Sequence, residues 1–517
     1  MKRNIILLFI SVVALFAACS VPDKGNYDYH EINEVTISGI NPSYTVMPDI
    51  QTLTIDPAIK MTDAEVNDSR FDYLWLANVA YGATDTLGRE RVLSTTVSLA
   101  PRTYQLVLKV FDNKTGVVWR NISSLVVGNM YEKGIMLAGE GSGGVAQMQM
   151  ISMATDTIVT PDILAESGLP QLRGPVAFFH TGPANATNVI KVWVLTESGS
   201  YYIDRTSMKG TEANNFRSTV FATDPLPDDM YPVVMGPQIK NKSGATGMNQ
   251  TTVVERAVIC NNGYVFNSTV SSNGDFYTSP GNRTNDNWNE LLKAKPYMMY
   301  GVNTWNGFLW YDETYERFMR INKFNKISFT LTDLPDDMFP WNQAGTGRTL
   351  VYAENTFNVD GGSEGGNSFA LMKDGSGNYF IYKFYVGEET EKRDMYEVKS
   401  VATGFAQATM YAFSSRRTVM FYVSGGKLYA YDYNKGNEKC YELNNYGTGE
   451  ITMIKADTQI DPSLNPLYIA TYSSSTGGTL QKFTVGTNPD YVDITPSAKE
   501  KWSGLTRIKN MSWRAAN

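Results

Sequence analysis

Histidine is nearly absent. The 517-residue chain has two, His30 and His180, which excludes a zinc site or an active site built on several imidazoles. Cysteine is as scarce. Cys19, Cys260 and Cys440 are the three, too few for a disulfide-stapled scaffold. The Gly-rich runs Gly139–Gly144 and Asp360–Gly366 contain no Gly-Lys-Ser/Thr, so a P-loop is missing. Basic residues number 45 against 52 acidic ones, for a formal charge of -7. A nucleic-acid binder would need a basic face. Beyond the N-terminus no apolar run approaches the ~18 residues of a membrane-crossing helix. What the chain has in quantity is tyrosine (31), phenylalanine (23) and glycine (43). Aromatic strands and glycine turns suit β structure. The length is about three times that of a common ~150-residue domain, which points to more than one core.

The N-terminus reads as an address. Lys2 and Arg3 precede the apolar run Ile5 to Phe16, and Ala17-Ala18 lead into Cys19. Charge, apolar run, small residues and cysteine in this order resemble a bacterial lipobox. The resemblance implies a signal peptide over 1–18 and a mature chain beginning at a lipidated Cys19. Residues 19–30 are polar and contain Pro22 and Gly25, which suits a tether. The other cysteines, Cys260 and Cys440, sit in apolar strand-like runs and read as buried free thiols, the alternative being a disulfide, which an oxidising compartment allows.

From Glu31 the pattern alternates. Val35-Thr36-Ile37, Leu53-Thr54-Ile55, Phe71 to Trp75 and Tyr104 to Val110 are strands by period two, with Phe71, Tyr73 and Trp75 on one face. Several short strands over 31–128 predict an immunoglobulin-like β-sandwich without the antibody disulfide. Asp23-Lys24-Gly25-Asn26-Tyr27-Asp28-Tyr29, followed by these strands, resembles the PKD-like lipoprotein family of Bacteroidetes. The likeness covers residues 19–128 and departs from ordinary PKD domains in lacking their Trp-Asp-Phe-Gly-Asp-Gly-type strand. It implies an outer-membrane surface lipoprotein, lipid-anchored and facing the cell exterior. It also implies the company of a SusC/SusD (RagA/RagB)-type importer, and it supplies no catalytic residues.

Over 129–517 a hairpin unit recurs: apolar strand, Gly-containing turn, aromatic strand. Seven copies run from Ile135–Met153 to Leu467–Val485. A period of roughly 50 to 65 residues with two central strands per copy predicts a seven-bladed β-propeller. Thr506 to Trp513 would close its first blade against Ile135–Ala138. Thr219-Val220-Phe221 would be the outer strand of the second blade. The fold class is therefore all-β throughout.

Leu226-Pro227-Asp228-Asp229-Met230 returns as Leu334-Pro335-Asp336-Asp337-Met338 about two units later. Both copies lie between blades, where loops share a face. The same face should carry Trp288, within Ser279–Lys295, Trp341, and Trp502, within Pro496–Gly504. Acids beside loop aromatics suit a sugar or peptide, because rings stack and carboxylates accept hydrogen bonds. Asp228, Asp229, Asp336, Asp337, Trp288, Trp341 and Trp502 are thus the candidate ligand or partner contacts. The bland alternative is that the aspartates bond nearby amides in turns. Asp360, Glu364 and Asn367 have oxygen ligands for Ca²⁺ but not EF-hand spacing. No catalytic residue, cofactor or metal site is legible. The expected role is a non-catalytic surface lipoprotein that binds glycan or peptide, or docks on the importer. The runner-up is a propeller enzyme, a glycosidase or polysaccharide lyase.

Overall fold

A computed structural model describes residues 34–62, 68–79, 82–154, 157–182, 191–238 and 254–514. The expected signal peptide, the tether and Cys19 lie outside these residues. The chain is all-β and divides into two compact units, with the boundary in sequence between Gly128 and Asn129.

In the first unit, alternation makes each strand half apolar. Phe71–Asn78 buries Phe71, Tyr73 and Trp75 and exposes Asp72, so one face must be covered. It sits in a five-stranded sheet ordered Ser43–Val46, Val118–Val127, Arg102–Asp112, Phe71–Asn78, Thr84–Gly88. Its first pair is parallel and the others antiparallel. Two small sheets pair Val35–Ser38 with Ala58–Met61 and Thr52–Ile55 with Leu93–Thr96. Their Leu53, Ile55, Ile59 and Leu93 share one core with Trp75, Leu106, Leu108 and Leu125. The result is a sandwich.

Among the described residues the second unit contains seven separate sheets, and none of them closes on itself or continues into the next. The first is ordered Ile158–Val159, Ala146–Ser152, Gly134–Glu140, Arg507–Arg514. The second is Pro175–His180, Val192–Thr196, Tyr201–Ile203, and the third Pro232–Gly236, Glu255–Cys260, Val265–Thr269. The fourth is Gly307–Asp312, Arg317–Asn322, Phe329–Thr330. Ala294 and Met299 form single bridges to its first strand. The fifth is Thr349–Asn355, Asn367–Lys373, Tyr379–Val386, Thr390–Glu397. The sixth is Met410–Phe413, Val419–Ser424, Lys427–Asp432, Lys439–Leu443, and the seventh Glu450–Ala456, Pro466–Ser473, Gly477–Val485, Ile494–Leu505.

Neighbouring strands in each sheet are antiparallel and mostly consecutive, which tight turns permit. Ser424-Gly425-Gly426-Lys427 is one such turn. Gly425 and Gly426 both have positive φ, 56° and 76°, the requirement of a two-residue hairpin that glycine meets without steric cost.

The middle strands are buried on both faces. Val192–Thr196 and Val419–Ser424 are buried at every residue, so each sheet must be covered on both sides. Each successive pair of sheets shares an apolar cluster. Met148 and Phe178 join the first two, Trp193 and Phe266 the second and third, and Val265 and Trp310 the third and fourth. Tyr311 and Met372 follow, then Leu371 and Tyr422, then Phe421 and Ile469. A seventh cluster packs Ile135 and Ile151 of the first sheet with Tyr468 and Leu480 of the seventh.

The C-terminal strand pairs with Gly134–Glu140, with Ile135 opposite Trp513 and Ala138 opposite Asn510. This is the pairing that the alternation of Thr506–Trp513 suggests. The second sheet departs from expectation. Phe216–Thr219 is a 3-10 turn, Val220 bridges in parallel to Tyr277, and Phe221 is exposed. An Asn215 side chain that accepts from the Arg217 amide starts the turn, a local bond that competes with strand pairing. Cys260 and Cys440 are free, and Cys260 is buried.

Candidate functional site

The duplicated acidic motif does not form one site. Asp228 is fully exposed and pairs with Arg217 at 2.6 Å. Asp229 accepts a bond from Asn261 at its backbone carbonyl, 3.0 Å. Asp336 is exposed. Asp337 accepts from the Leu334 amide at 2.8 Å and pairs with Lys392. Lys392 first and foremost binds carboxylates in this turn, since Asp333 also holds it, at 2.7 Å. Asp337 is therefore a turn brace, as short acidic side chains often are.

Two of the three tryptophans are corrected. Trp341 is 3% exposed and packs edge-on against Phe318, Phe339 and Phe384 with centroids 5.2–5.6 Å away. Trp502 lies on the strand Ile494–Leu505, not in a loop, and is buried opposite Leu480. That strand looks polar because its other face meets solvent. Trp288 alone is open, 49% exposed, with the Arg283 guanidinium 4.9 Å from its ring. The Asp360 loop is already neutralised. Asp360 accepts from Lys383 and Asn358, each at 2.9 Å. Asn367 donates to Asn358 and to the Asp360 carbonyl. Among the described residues no group of three or more His, Cys, Asp or Glu is placed to hold a metal ion.

Concavity and convergent polar groups occur elsewhere. A cavity of about 700 Å³ lies among the first strands of the fifth, sixth and seventh sheets and the C-terminal strand. Its size is that of a small-molecule pocket. Tyr352 and Glu354 come from Thr349–Asn355, where alternation puts them on one side. Tyr411 comes from Met410–Phe413, Lys455 from Glu450–Ala456, and Lys509 and Asn510 from Arg507–Arg514. Tyr297 is contributed by the segment before the fourth sheet.

The rings are fixed. Tyr352 lies 5.7 Å from Tyr297, edge to face, and 5.3 Å from Tyr411. Tyr297 donates to the Val351 carbonyl at 3.0 Å, and Tyr411 to that of Ala408 at 3.2 Å. Glu354 accepts from the Phe413 amide at 2.6 Å. Lys455 donates to the Met511 carbonyl at 2.6 Å and to Asn510 Oδ1 at 3.3 Å. Lys509 pairs with Glu140 at 3.2 Å.

Burial pushes the Glu354 carboxyl up to about 8, against the opposing pull of the Phe413 amide, Lys455 and Tyr352. Burial likewise lowers Lys455, while Glu354 and Asp457 act to raise it. Burial raises Tyr352 and Tyr297, and lifts Tyr411 to about 12. At neutral pH the cavity therefore presents phenols and a protonated acid rather than phenolates. A carboxyl whose folded value lies above its unfolded value of ~4.3 costs stability as pH rises between the two. Glu354→Gln keeps an acceptor for Phe413 and removes that titration. Its urea midpoint should gain on the wild type from about pH 4.3 to 8 and run parallel above. A difference flat across that range would show that Glu354 does not stay protonated.

These groups escaped the sequence reading because each looks like an ordinary strand residue. The available signal was their position. Tyr352, Tyr411 and Lys455 each lie in the strand that precedes a recurring hairpin, and Asn510 in the strand that pairs with the first one.

The fold and cavity define an all-β protein of two units, the second with a polar, tyrosine-lined pocket among its sheets. The PKD-like family model matches residues 21–174, a span that covers the sandwich and continues into the first sheet of the second unit. A comparison with curated proteins gives no match. Among solved structures, the chain is similar to a quinonprotein alcohol dehydrogenase-like protein from Bacteroides thetaiotaomicron. The two are 13% identical over 94% of this chain and 100% of that one, with a TM-score of 0.36. It is also similar to a DUF4784 family protein from Bacteroides caccae, at 9% identity over 80% and 96%, with a TM-score of 0.31. YCF48 from Cyanidioschyzon merolae shows 10% identity over 47% and 67%, with a TM-score of 0.27.

Proposed function

We propose that this chain is a lipid-anchored surface protein of the outer membrane that binds a small nutrient molecule, and that its second unit is a seven-bladed β-propeller. Seven sheets, each packed on the next in sequence order, support the propeller. So do the last-to-first cluster around Ile135 and Tyr468 and the C-terminal strand in the first sheet. In that reading the first strands face the central channel and the cavity is part of it. The observation that carries binding is the convergence of Tyr297, Tyr352, Tyr411, Glu354 and Lys455 on one cavity. A bound ring would lie on the tyrosines while the polar groups set its orientation.

The importer partnership and the anchor rest on the lipobox and the PKD-like likeness at the N-terminus. The ligand would be held at the surface for a SusC/SusD-type importer. A glycosidase is the weaker reading. It needs two carboxylates flanking the scissile bond, and Glu354 is the one carboxylate among the lining residues.

Two measurements test the proposal. In calorimetry against glycan and peptide panels, a hit should weaken about tenfold or more in Tyr352→Ala with Tyr411→Ala, each ring contributing roughly 0.5–1.5 kcal/mol beyond its area. Unchanged affinity in a folded double variant removes the cavity from the site and leaves Trp288 as the surviving candidate. Cys19→Ala should move the protein out of the membrane fraction; if it stays there wholly, lipidation is not the anchor.

A further inference from the structure

We infer that the cavity takes an acidic saccharide, with the ligand's carboxylate seated at Lys455. This rests on the cavity being the binding site, as proposed above.

The starting observation is a cation with no direct ion pair. Lys455 is half-buried in the cavity wall. Its two hydrogen bonds go to neutral oxygens, the Met511 carbonyl and Asn510 Oδ1. No carboxylate among the described residues forms an ion pair with it: Glu354, the nearby acid of the lining, is bonded to the Phe413 amide, and Asp457 to the amides of Gln459, Ile460 and Asp461. An ammonium drawn from water without a counter-ion is costly, and an ammonium has three donors. One donor is left for an incoming group. The contrast with Lys509 is informative, since that lysine of the same lining already has Glu140 at 3.2 Å.

The other walls specify what carries the anion. Tyr352 and Tyr411 present ring faces at a centroid distance of 5.3 Å, a surface for the C–H face of a sugar ring. Thr409 and Thr452 donate to the Val423 and Ala470 carbonyls and Asn510 Nδ2 to that of Val176, so what these side chains offer a ligand hydroxyl is acceptor oxygens. Glu354, when protonated, can donate to an acceptor, and it adds no negative charge to repel a carboxylate. The volume, about 700 Å³, admits a short oligosaccharide rather than a polymer chain end alone.

The test is calorimetry on the full chain with matched probes: trigalacturonate and sialyllactose as acids, galactotriose and lactose as their neutral counterparts. At least one acidic probe should bind about tenfold or more tighter than its neutral partner, the worth of a hydrogen bond to a charged group. Lys455→Met should abolish that preference with an unchanged melting temperature, and Lys455→Arg should keep most of it. Should a neutral probe bind as tightly as its acidic partner and lose affinity in Tyr411→Ala, the cavity reading stands and the acidic inference falls. Acid binding indifferent to Lys455→Met but sensitive to Tyr411→Ala has the same meaning. Were no probe of either kind to bind, both the inference and the binding role of the cavity would be overturned.

Discussion

Removing residues 507–517 should abolish cooperative folding of the second unit. The deleted strand Arg507–Arg514 pairs along the whole of Gly134–Glu140, a strand buried at every residue but the last. Without it a row of amides and carbonyls is orphaned in the interior, where each unmatched group costs about 1–3 kcal/mol. Ile508 and Met511 leave the cluster that packs the first sheet on the seventh, at roughly 2–5 kcal/mol each. Ser512 and Asn510 also release the Phe178 and Val176 carbonyls of the second sheet. The sum exceeds the 5–15 kcal/mol by which a domain is ordinarily stable. Near-ultraviolet circular dichroism during urea titration checks it, with Ile508→Ala as an intermediate case at about 3 kcal/mol. A truncated chain that retains a sharp transition of wild-type amplitude would mean the sheets do not depend on a joined first and last member.

Asp112→Ala should cost the first unit about 3–5 kcal/mol, the range for breaking a buried pair by removing one partner. The Asp112 side chain is fully buried and receives Arg70 Nε at 2.9 Å and Nη2 at 2.6 Å, the Lys114 amide at 2.9 Å and Thr115 Oγ1 at 2.8 Å. Arg70 foremost, with the Lys114 and Thr115 bonds, holds this carboxyl well below the usual range against the opposing effect of burial. Because the folded value is depressed, the stabilisation is complete above the unfolded value of ~3.9 and is lost as pH falls below it. Urea midpoints of wild type and Asp112→Asn should therefore converge as pH drops from about 5 towards 2. A gap that stays constant over that range would place the stabilisation elsewhere than in the ionised carboxylate.

Much of the architecture was legible because alternation is a local property. Phe71, Tyr73 and Trp75 share a buried face, as period two requires. The turn at Gly425-Gly426 is readable because two positive φ values in succession demand glycine. Even the long-range pairing of Thr506–Trp513 with Ile135–Ala138 was accessible, since the first hairpin lacks an upstream strand of the kind that Pro175–His180 and Met410–Phe413 supply to theirs.

The site was less legible. Trp502 and Trp341 sit in stretches rich in Pro, Gly and charge, which look like loops. Yet one occupies an outer strand with its partner face buried, and the other a cluster of rings. Pro496 is accommodated there because the pairing of Gln481–Phe483 with Pro496–Lys501 shifts register, an irregularity that composition does not announce. Glu354 and Lys455 are charged residues within strands, and nothing in their local spacing marks them as groups of a cavity.

The sequence by itself determined the strand class and the recurring hairpins. These follow from residue type and spacing within a few positions. Only the tertiary structure decided which of the nine tryptophans is open, that Asp337 is spent on Lys392, and that Tyr297, Tyr352, Tyr411 and Lys455 line one cavity. Those residues come from separate repeats, and their convergence depends on how whole sheets stack. Stacking is set by apolar burial summed over many side chains, and no single position carries its direction.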